Sequence, residues 1–167
     1  TVDGTGYQGI QLAGAIGNAS VLNNKINNAN NFAQAADRGA IRLYGSGFTG
    51  AVVVSNNEIT GGYNGITVRD GENITGKNIT VSNNSITGLT AGKAIYHGGT
   101  GTLQATCNWY GTAIANDVMA LISGPVNYSP FLTDGSDAAP LAIGFQPGGS
   151  CLGSPIVISS AVASPAT

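Results

Sequence analysis

A short recurring phrase constrains the fold of this chain more than any other feature of its sequence. The phrase Val-x-Asn-Asn-x-Ile occurs three times, at residues 21–26, 54–59 and 81–86. A second phrase precedes each copy and occurs once more, with Ile followed two residues later by Leu, Val or His, at residues 10–12, 41–43, 66–68 and 95–97. Units of roughly 25–33 residues that combine short β-type runs with polar turns are typical of solenoids. The sequence therefore predicts a stack of similar coils.

Alternation within the phrases predicts strands with one face inside the solenoid and one face outside. The inward positions of the second phrase end with Leu12, Leu43, Val68 and His97. His97 is the only histidine of the chain, and its register indicates a core histidine with satisfied hydrogen bonds rather than a catalytic base. The residues between the inward positions are expected to form an outward column: Gln11, Arg42, Thr67 and Tyr96.

Four asparagines take the same corner position in successive coils: Asn24, Asn57, Asn84 and Asn108. Asparagine tolerates left-handed backbone and can hydrogen-bond its own chain, which suits a tight corner between strands. If such corners stack, the amides are expected to pair from coil to coil as a ladder. An ordinary Asn-Asn turn, the simpler alternative, predicts the same location without the ladder.

The repeating pattern ends after Asn108, which predicts three regions along the chain. We expect β-helix coils over residues 1–111, a C-terminal cap over 112–153, and an edge strand or a linker to a further domain over 154–167. The cap is expected to contain a short helix. A cap is expected because a solenoid has to cover its last core layer and its last strand edges. The chain is therefore interpreted as part of a larger polypeptide. Within the coils, the insertion over residues 27–39 is a candidate for a helical turn that begins at Phe32.

Composition excludes several classes of partner. The chain has 167 residues, of which 42% are hydrophobic and only 8% are charged, with a net charge of −2. This is enough apolar material for one domain core. The basic residues are scattered, so no nucleic-acid-binding patch is expected. No apolar run reaches the roughly 18–20 residues of a membrane span.

The two cysteines, Cys107 and Cys151, fit neither a zinc site nor a CxxC redox motif, because both of those need closer pairs. A disulfide between them would tie the tail to the last coil, and it is the favoured interpretation over two buried thiols. Disulfides persist in oxidising compartments, so we expect an extracellular or cell-surface location.

The end of the repeat resembles a known family. Residues 107–111 (CNWYG) and 124–132 (GPVNYSPFL) resemble the NWWG … G-x-V-x-Y-S-P-W-L ending of bacterial right-handed parallel β-helix surface proteins. Tyr110 and Phe131 stand where that family has tryptophans. The resemblance covers about residues 9–147 and implies an all-β fold, a right-handed parallel β-helix with a C-terminal capping segment. It selects no activity, because the wider pectate-lyase-like superfamily includes lyases, hydrolases, adhesins and phage tailspikes.

Charged residues that a polysaccharide lyase or hydrolase needs are concentrated in one loop: Arg69, Asp70, Glu72 and Lys77. Such enzymes use paired carboxylates, or calcium-binding carboxylates beside a basic residue, on an exposed face. A solvated loop with weak ion pairs is the favoured alternative. The sequence therefore favours a non-enzymatic protein, with catalysis by this loop as the second hypothesis.

No cofactor and no metal site are expected. The run Asp134-Gly135-Ser136-Asp137 is the best candidate for calcium. It lacks the twelve-residue spacing of an EF-hand and the glycine-rich repeat of calcium β-rolls. An Asx-type turn is the favoured interpretation.

A binding role fits the composition better than catalysis does. Tyr96, Arg42 and Thr67 are the predicted ligand contacts, because a tyrosine ring can stack on a sugar and polar groups match its hydroxyls. Ice binding is disfavoured, since the threonines do not recur in one column. We expect a non-enzymatic segment of a secreted or cell-surface protein that serves adhesion, display or a stalk role. Glycans or other cell-surface proteins are the expected partners, and a polysaccharide lyase or hydrolase fragment is the alternative.

Overall fold

The structure, a computed structural model, describes residues 1–32 and 34–151 and is a parallel β-solenoid of about five turns. This confirms the predicted β-helical fold class. The edge strand or linker predicted over residues 154–167 lies outside the described residues. Apart from one turn of 3₁₀-helix at Gly45–Gly47 and a six-residue helix, α1 (Ala115–Ala120), the described regular structure consists of short strands. In chain order these are β1 (Val2–Asp3), β2 (Ile10–Leu12), β3 (Ala19–Leu22), β4 (Lys25–Asn27), β5 (Ile41–Leu43), β6 (Val52–Ser55), β7 (Glu58–Thr60), β8 (Ile66–Val68), β9 (Ile79–Ser82), β10 (Ser85–Thr87), β11 (Ile95–His97), β12 (Leu103–Gln104), β13 (Ile122–Ser123) and β14 (Val126–Asn127).

The strands form three parallel sheets around a common core. The first sheet has the order β1-β4-β7-β10, the second β13-β11-β8-β5-β2 and the third β14-β12-β9-β6-β3. Each of the three most regular coils contributes one strand to every sheet, so equivalent residues of successive coils lie side by side. The registers follow the repeated phrases: Ile41 pairs with Ile66, and Ile66 pairs with Ile95. These three isoleucines are fully buried.

The predicted corner asparagines form a continuous ladder. The side-chain Nδ2 of Asn24 donates to Asn57 Oδ1 at 2.9 Å, that of Asn57 to Asn84 Oδ1 at 2.8 Å, and that of Asn84 to Asn108 Oδ1 at 2.9 Å. Each accepting Oδ1 also receives a backbone N–H from the asparagine of the preceding coil, at 3.0 Å in all three cases. The ladder is therefore a repeated two-donor contact that links every coil to the next.

The left-handed backbone at each corner belongs to the residue just before the ladder asparagine. Asn23, Asn56, Asn83 and Cys107 have φ values of 55°, 59°, 56° and 59°. Two consecutive residues thus have different roles at each corner. The first adopts the left-handed conformation that turns the chain, and the second forms the hydrogen bonds to the neighbouring coil. Cys107 takes the turning position in the fourth corner without an asparagine side chain.

The region predicted to be a cap extends the solenoid and also covers it. Strands β13 and β14 pair with β11 and β12 and so continue two of the sheets. Val118 of α1 is fully buried in the core cluster. The following segment runs back along the corners, where the Phe145 N–H donates to Asn56 O at 2.9 Å and Asn56 Nδ2 donates to Phe145 O at 3.1 Å. Cys107 and Cys151 close this segment with a disulfide whose Cα atoms lie 5.3 Å apart.

Replacing Asn57 by alanine should destabilise the protein, because it removes the acceptor of two Asn24 donors and leaves Val21 O without the Asn57 amide donor. We expect the free energy of unfolding in urea to fall by about 2–3 kcal/mol, the cost of stranded buried polar groups. Asn116→Ala, at an exposed position of α1, is the matched control and should change it by less than about 0.5 kcal/mol. Equal urea midpoints for the two variants would show that the ladder contributes no stability.

Removing the disulfide should also lower stability. The bond closes a loop with a sequence separation of 44, and in the chain-entropy model a loop of that length corresponds to about 4 kcal/mol. The double variant Cys107→Ser, Cys151→Ser should therefore unfold at a lower urea concentration than the oxidised protein. Alkylation of the unfolded, unreduced protein, followed by mass measurement, should label neither cysteine. Labelling without reductant would contradict the disulfide.

Candidate functional site

The candidate surface is the outer side of the second sheet together with the loops that follow its strands. The predicted outward column is in register there: Gln11 pairs with Arg42, Arg42 with Thr67, and Thr67 with Tyr96. Because equivalent residues stack, the loop residues that follow these strands also lie on neighbouring coils. This arrangement brings Asp70 to Tyr96 and Arg69 to Tyr44.

The predicted outward column is not exposed along its whole length, because a loop covers its middle. Arg42 is only 5% exposed and Thr67 is fully buried. The loop between β4 and β5 covers both: Asp37 forms an ion pair with Arg42, and its backbone oxygen accepts from Arg42 Nε at 2.9 Å and from Thr67 Oγ1 at 3.2 Å. Two of the three predicted ligand contacts are thus internal supports for the loop, and only Tyr96 remains partly accessible.

Two buried asparagines outside the repeated phrases hold this covering loop in place. Asn30 Nδ2 donates to Arg38 O at 2.6 Å, and Asn64 Nδ2 donates to the same oxygen at 2.8 Å. Asn64 also donates to the backbone oxygens of Ala35 and Ala36. No helix forms at residues 31, 32 or 34–38, so the helical turn predicted from Phe32 is wrong for the described part of the loop. The Asn30 and Asn64 amides satisfy the carbonyls of this loop, and Ala35 O also accepts the Arg38 N–H at 3.0 Å.

An aromatic and charged group follows the strands of the second sheet. The Arg69 guanidinium lies 4.8 Å from the centre of the Tyr44 ring. The Tyr96 hydroxyl donates to Asp70 Oδ1 at 2.7 Å, and this hydrogen bond raises the pKa of Tyr96 to about 12. Both tyrosine rings are partly exposed. The Arg42 guanidinium also lies over the Tyr44 ring, 4.9 Å from its centre, so this ring is stacked with two arginines. The group therefore offers the Tyr96 ring, the Arg69 guanidinium and the Asp70 carboxylate to a ligand.

The side chains of the four residues in the catalytic hypothesis do not converge on one site. Asp70 accepts from Tyr96, whereas Glu72 is 8% exposed and accepts the Ser46 N–H at 2.7 Å. Arg69 lies 3.7 Å from the Glu72 carboxylate. Lys77 turns away and donates from Nζ to Phe48 O at 2.7 Å, beside a cleft of about 470 Å³. Each side chain therefore has its own structural contact, and the two carboxylates share none of their hydrogen-bond donors.

His97 lies in the inward column and is 2% exposed. Its Nε2 lies 3.0 Å from Gly101 O, and its Nδ1 accepts the Gly99 N–H at 3.2 Å. This geometry requires a neutral ring protonated at Nε2. Burial lowers the pKa of the imidazole, and the hydrogen bond to Gly101 opposes that shift only in part. His97 therefore supports the turn after β11.

The calcium candidate is an Asx-type turn. Asp134 Oδ1 accepts the Ser136 N–H at 2.9 Å, and its Oδ2 accepts the Ser136 hydroxyl at 2.7 Å. These hydrogen bonds lower the pKa of Asp134. Asp137 Oδ1 accepts the backbone N–H groups of Ala139 and Gln146. Within residues 1–32 and 34–151, no three His, Cys, Asp or Glu side chains are grouped as a metal site.

A second aromatic group lies before the strands of the second sheet; Tyr7 was foreseeable from the sequence as a surface tyrosine able to stack on a sugar, but its contacts with Phe32 and Arg38 were not. Tyr7 is 51% exposed and Phe32 is 82% exposed, with their ring centres 6.5 Å apart in an edge-to-face arrangement. The Arg38 guanidinium lies 4.8 Å from the centre of the Tyr7 ring. We call Tyr7, Phe32 and Arg38 the aromatic cluster. Its residues come from a terminal segment and an insertion, where no repeat specifies their positions.

Comparison with known proteins assigns no relative to this chain. No protein-family model, curated protein or solved structure matches it. In the part of the chain that the structure describes, none of the helices is sufficiently long and apolar to cross a bilayer. The two surface groups are therefore interpreted from their own geometry.

Acidification should destabilise the protein through His97. Burial lowers its pKa in the folded state below the ordinary value of 6.5, so the unfolded chain binds the proton more readily. The free energy of unfolding should therefore fall as the pH drops below about 6.5. Urea midpoints at pH 7.5 and 5.5 should differ more for the wild type than for His97→Gln, which has the same carboxylates. Parallel pH profiles for the two proteins would contradict this role.

Proposed function

We propose that this chain is a non-enzymatic segment of a secreted or cell-surface protein that contacts carbohydrate through the outer side of its second sheet. The observation that carries the proposal is the partly exposed Tyr96 ring, which is hydrogen-bonded to Asp70, with the exposed Arg69 in the same loop as Asp70. Partly exposed aromatic rings beside polar groups suit sugar rings, which have apolar faces and hydroxyl edges. The rigid coils would hold these groups in position before a ligand arrives.

The disulfide supports an extracellular or cell-surface location. The Cys107–Cys151 bond closes the C-terminal segment against the fourth corner, and structural disulfides persist mainly outside the cytosol. A solenoid with few charged residues and a covered C-terminal end suits a role in adhesion, in display or as a stalk. Glycans or other cell-surface proteins are the partners that this role implies.

We also propose the finer assignment to bacterial right-handed parallel β-helix surface proteins of the pectate-lyase-like superfamily. Tyr110 and Phe131, which replace the tryptophans of that family's ending, are each 2% exposed. Their ring centres lie 6.5 Å apart in an edge-to-face arrangement. The two rings fill adjacent aromatic positions in the core, which supports the resemblance.

Catalysis by a lyase or hydrolase fragment is the alternative. Arg69 and Asp70 are exposed beside the tyrosines, which is the observation in its favour. Glu72 and Lys77 are engaged with Ser46 and Phe48, which weighs against a catalytic group of four residues.

The test is a glycan-array screen of the purified chain, with calcium and with a chelator, followed by product analysis of every hit. We expect binding that is independent of calcium and releases no product. Tyr96→Ala should weaken binding about tenfold, the scale of one well-packed aromatic contact. Asn116→Ala on α1 is the exposed control and should bind like the wild type. Release of shortened or unsaturated oligosaccharides would instead establish the enzymatic alternative, and absence of binding would contradict the glycan proposal.

A further inference from the structure

The aromatic cluster leaves two large aromatic side chains exposed to solvent. Phe32 is 82% exposed and Tyr7 is 51% exposed. Isolated exposed apolar residues are common, but grouped aromatic residues beside a cation mark binding surfaces. The rings lie edge to face, with centres 6.5 Å apart, so they form a stepped apolar surface rather than a single flat one.

Arg38 is distinguished from the other basic residues by its lack of an oxygen partner. Each of the other five has one within 4.0 Å among the described residues: Lys25 with Glu58, Arg42 with Asp37, Arg69 with Glu72, Lys77 with Phe48 O, and Lys93 with Ala120 O. The Arg38 guanidinium lies over Tyr7 and forms no hydrogen bond or ion pair with any residue that the structure describes. Its N–H donors, which suit a planar oxyanion, are available to a ligand.

The backbone that carries Arg38 is fixed before any ligand binds. Its carbonyl accepts from Asn30 and Asn64, and its N–H donates to Ala35 O at 3.0 Å. The preceding residue, Asp37, is bound to Arg42. Phe32 is held from the other side, since its N–H donates to Gly6 O at 3.2 Å. A site on anchored backbone loses little conformational entropy on binding.

We propose that Tyr7, Phe32 and Arg38 form a subsite for an anionic sugar residue, in which the rings contact the apolar face of the sugar and Arg38 binds its carboxylate or sulfate. This proposal rests on the proposed function and specifies its ligand class. The cluster precedes β2 and β5, whereas Tyr44 and Arg69 follow β5 and β8. One extended glycan can therefore meet both groups across the same sheet.

The charge and size of the cluster favour this ligand over other polyanions and over a protein. Among the described residues, Arg38 is the one basic side chain without an oxygen partner, and the net charge of the chain is −2. A single guanidinium matches a single anionic group, whereas nucleic acid would need a basic patch. Stable protein interfaces bury about 800 Å² on each partner with a substantial apolar centre. Two rings and one guanidinium are the size of a single sugar subsite.

The experiment titrates the disulfide-bonded chain by calorimetry with three oligosaccharides of similar length: a hyaluronan octasaccharide, a sulfated dextran oligosaccharide and uncharged maltooctaose. We expect at least one anionic probe to bind more tightly than maltooctaose. The two anionic probes distinguish carboxylate from sulfate as the group that Arg38 binds. Arg38→Gln should weaken binding tenfold or more, the scale of a charged hydrogen bond. Phe32→Ala should weaken it about fivefold through the lost ring contact.

Two controls separate this subsite from general effects of charge and folding. Lys25→Gln removes the same charge from the outer side of the first sheet and should bind within twofold of the wild type. Arg38→Lys retains the charge without the planar fork and should fall between the wild type and Arg38→Gln. Urea midpoints within experimental error of the wild type would establish that each variant is folded.

Several results would overturn the subsite. If Arg38→Gln and Lys25→Gln weakened glycan binding equally, Arg38 would not belong to the subsite. If only Tyr96→Ala abolished binding, the subsite would be contradicted and the proposed function would stand. Binding of maltooctaose as tight as that of both anionic probes would exclude an anionic ligand. A concentration-dependent dimer abolished by Phe32→Ala would assign the cluster to a second copy of the chain. Failure of all three probes here, together with silence on the glycan array, would contradict both proposals.

Discussion

The hydrogen bonding between successive coils is the constraint on which the rest of the structure depends, and the asparagine ladder is its most specific part. Strand pairing alone leaves a three-residue strand free to slip by one position, which would exchange the inward and outward side chains. The ladder opposes slippage, because Asn57 Oδ1 receives both the side-chain and the backbone donor of Asn24. The contact recurs at Asn84 and Asn108. Short strands of few residues thus acquire a defined register.

A scaffold with a fixed register can carry loops of different length without changing its core. The segment between β4 and β5 is much longer than the one between β7 and β8, yet the strands that flank both stay in phase. The long loop is held by Asn64, a residue of the next coil, and by Arg42 beneath it. The conformation of the long loop therefore depends on its contacts with the stacked coils. The aromatic cluster lies on the segments before β2 and β5, whereas Tyr96 lies within β11. Segments outside the strands are where functional residues of repeat proteins are commonly found.

The parts of the structure that repeat were predictable, and the parts that depend on one long-range contact were not. Ile41, Ile66 and Ile95 occupy the same register because every coil has to bury the same position. No sequence pattern predicts that Asp37 covers Arg42, because that contact forms only when the loop folds back over the sheet. Phe145 is another such case, because it pairs with the backbone of Asn56 across 89 residues of sequence. Sequence periodicity predicts which face of a strand a side chain occupies. Only the tertiary structure shows whether a loop covers that face.

The low charge content of the chain makes a basic side chain without an oxygen partner among the described residues informative. In a protein with many exposed lysines and glutamates, an arginine without a partner would carry little meaning. Here only 8% of residues are charged, and the other basic side chains are engaged with oxygens of the scaffold, whereas Arg38 lies over Tyr7. Its position depends on Asn30 and on Asn64, so the geometry of the aromatic cluster depends on the stacking of the second and third coils. Stability of the scaffold and the ability of this surface to bind a ligand are therefore coupled through the same buried amides.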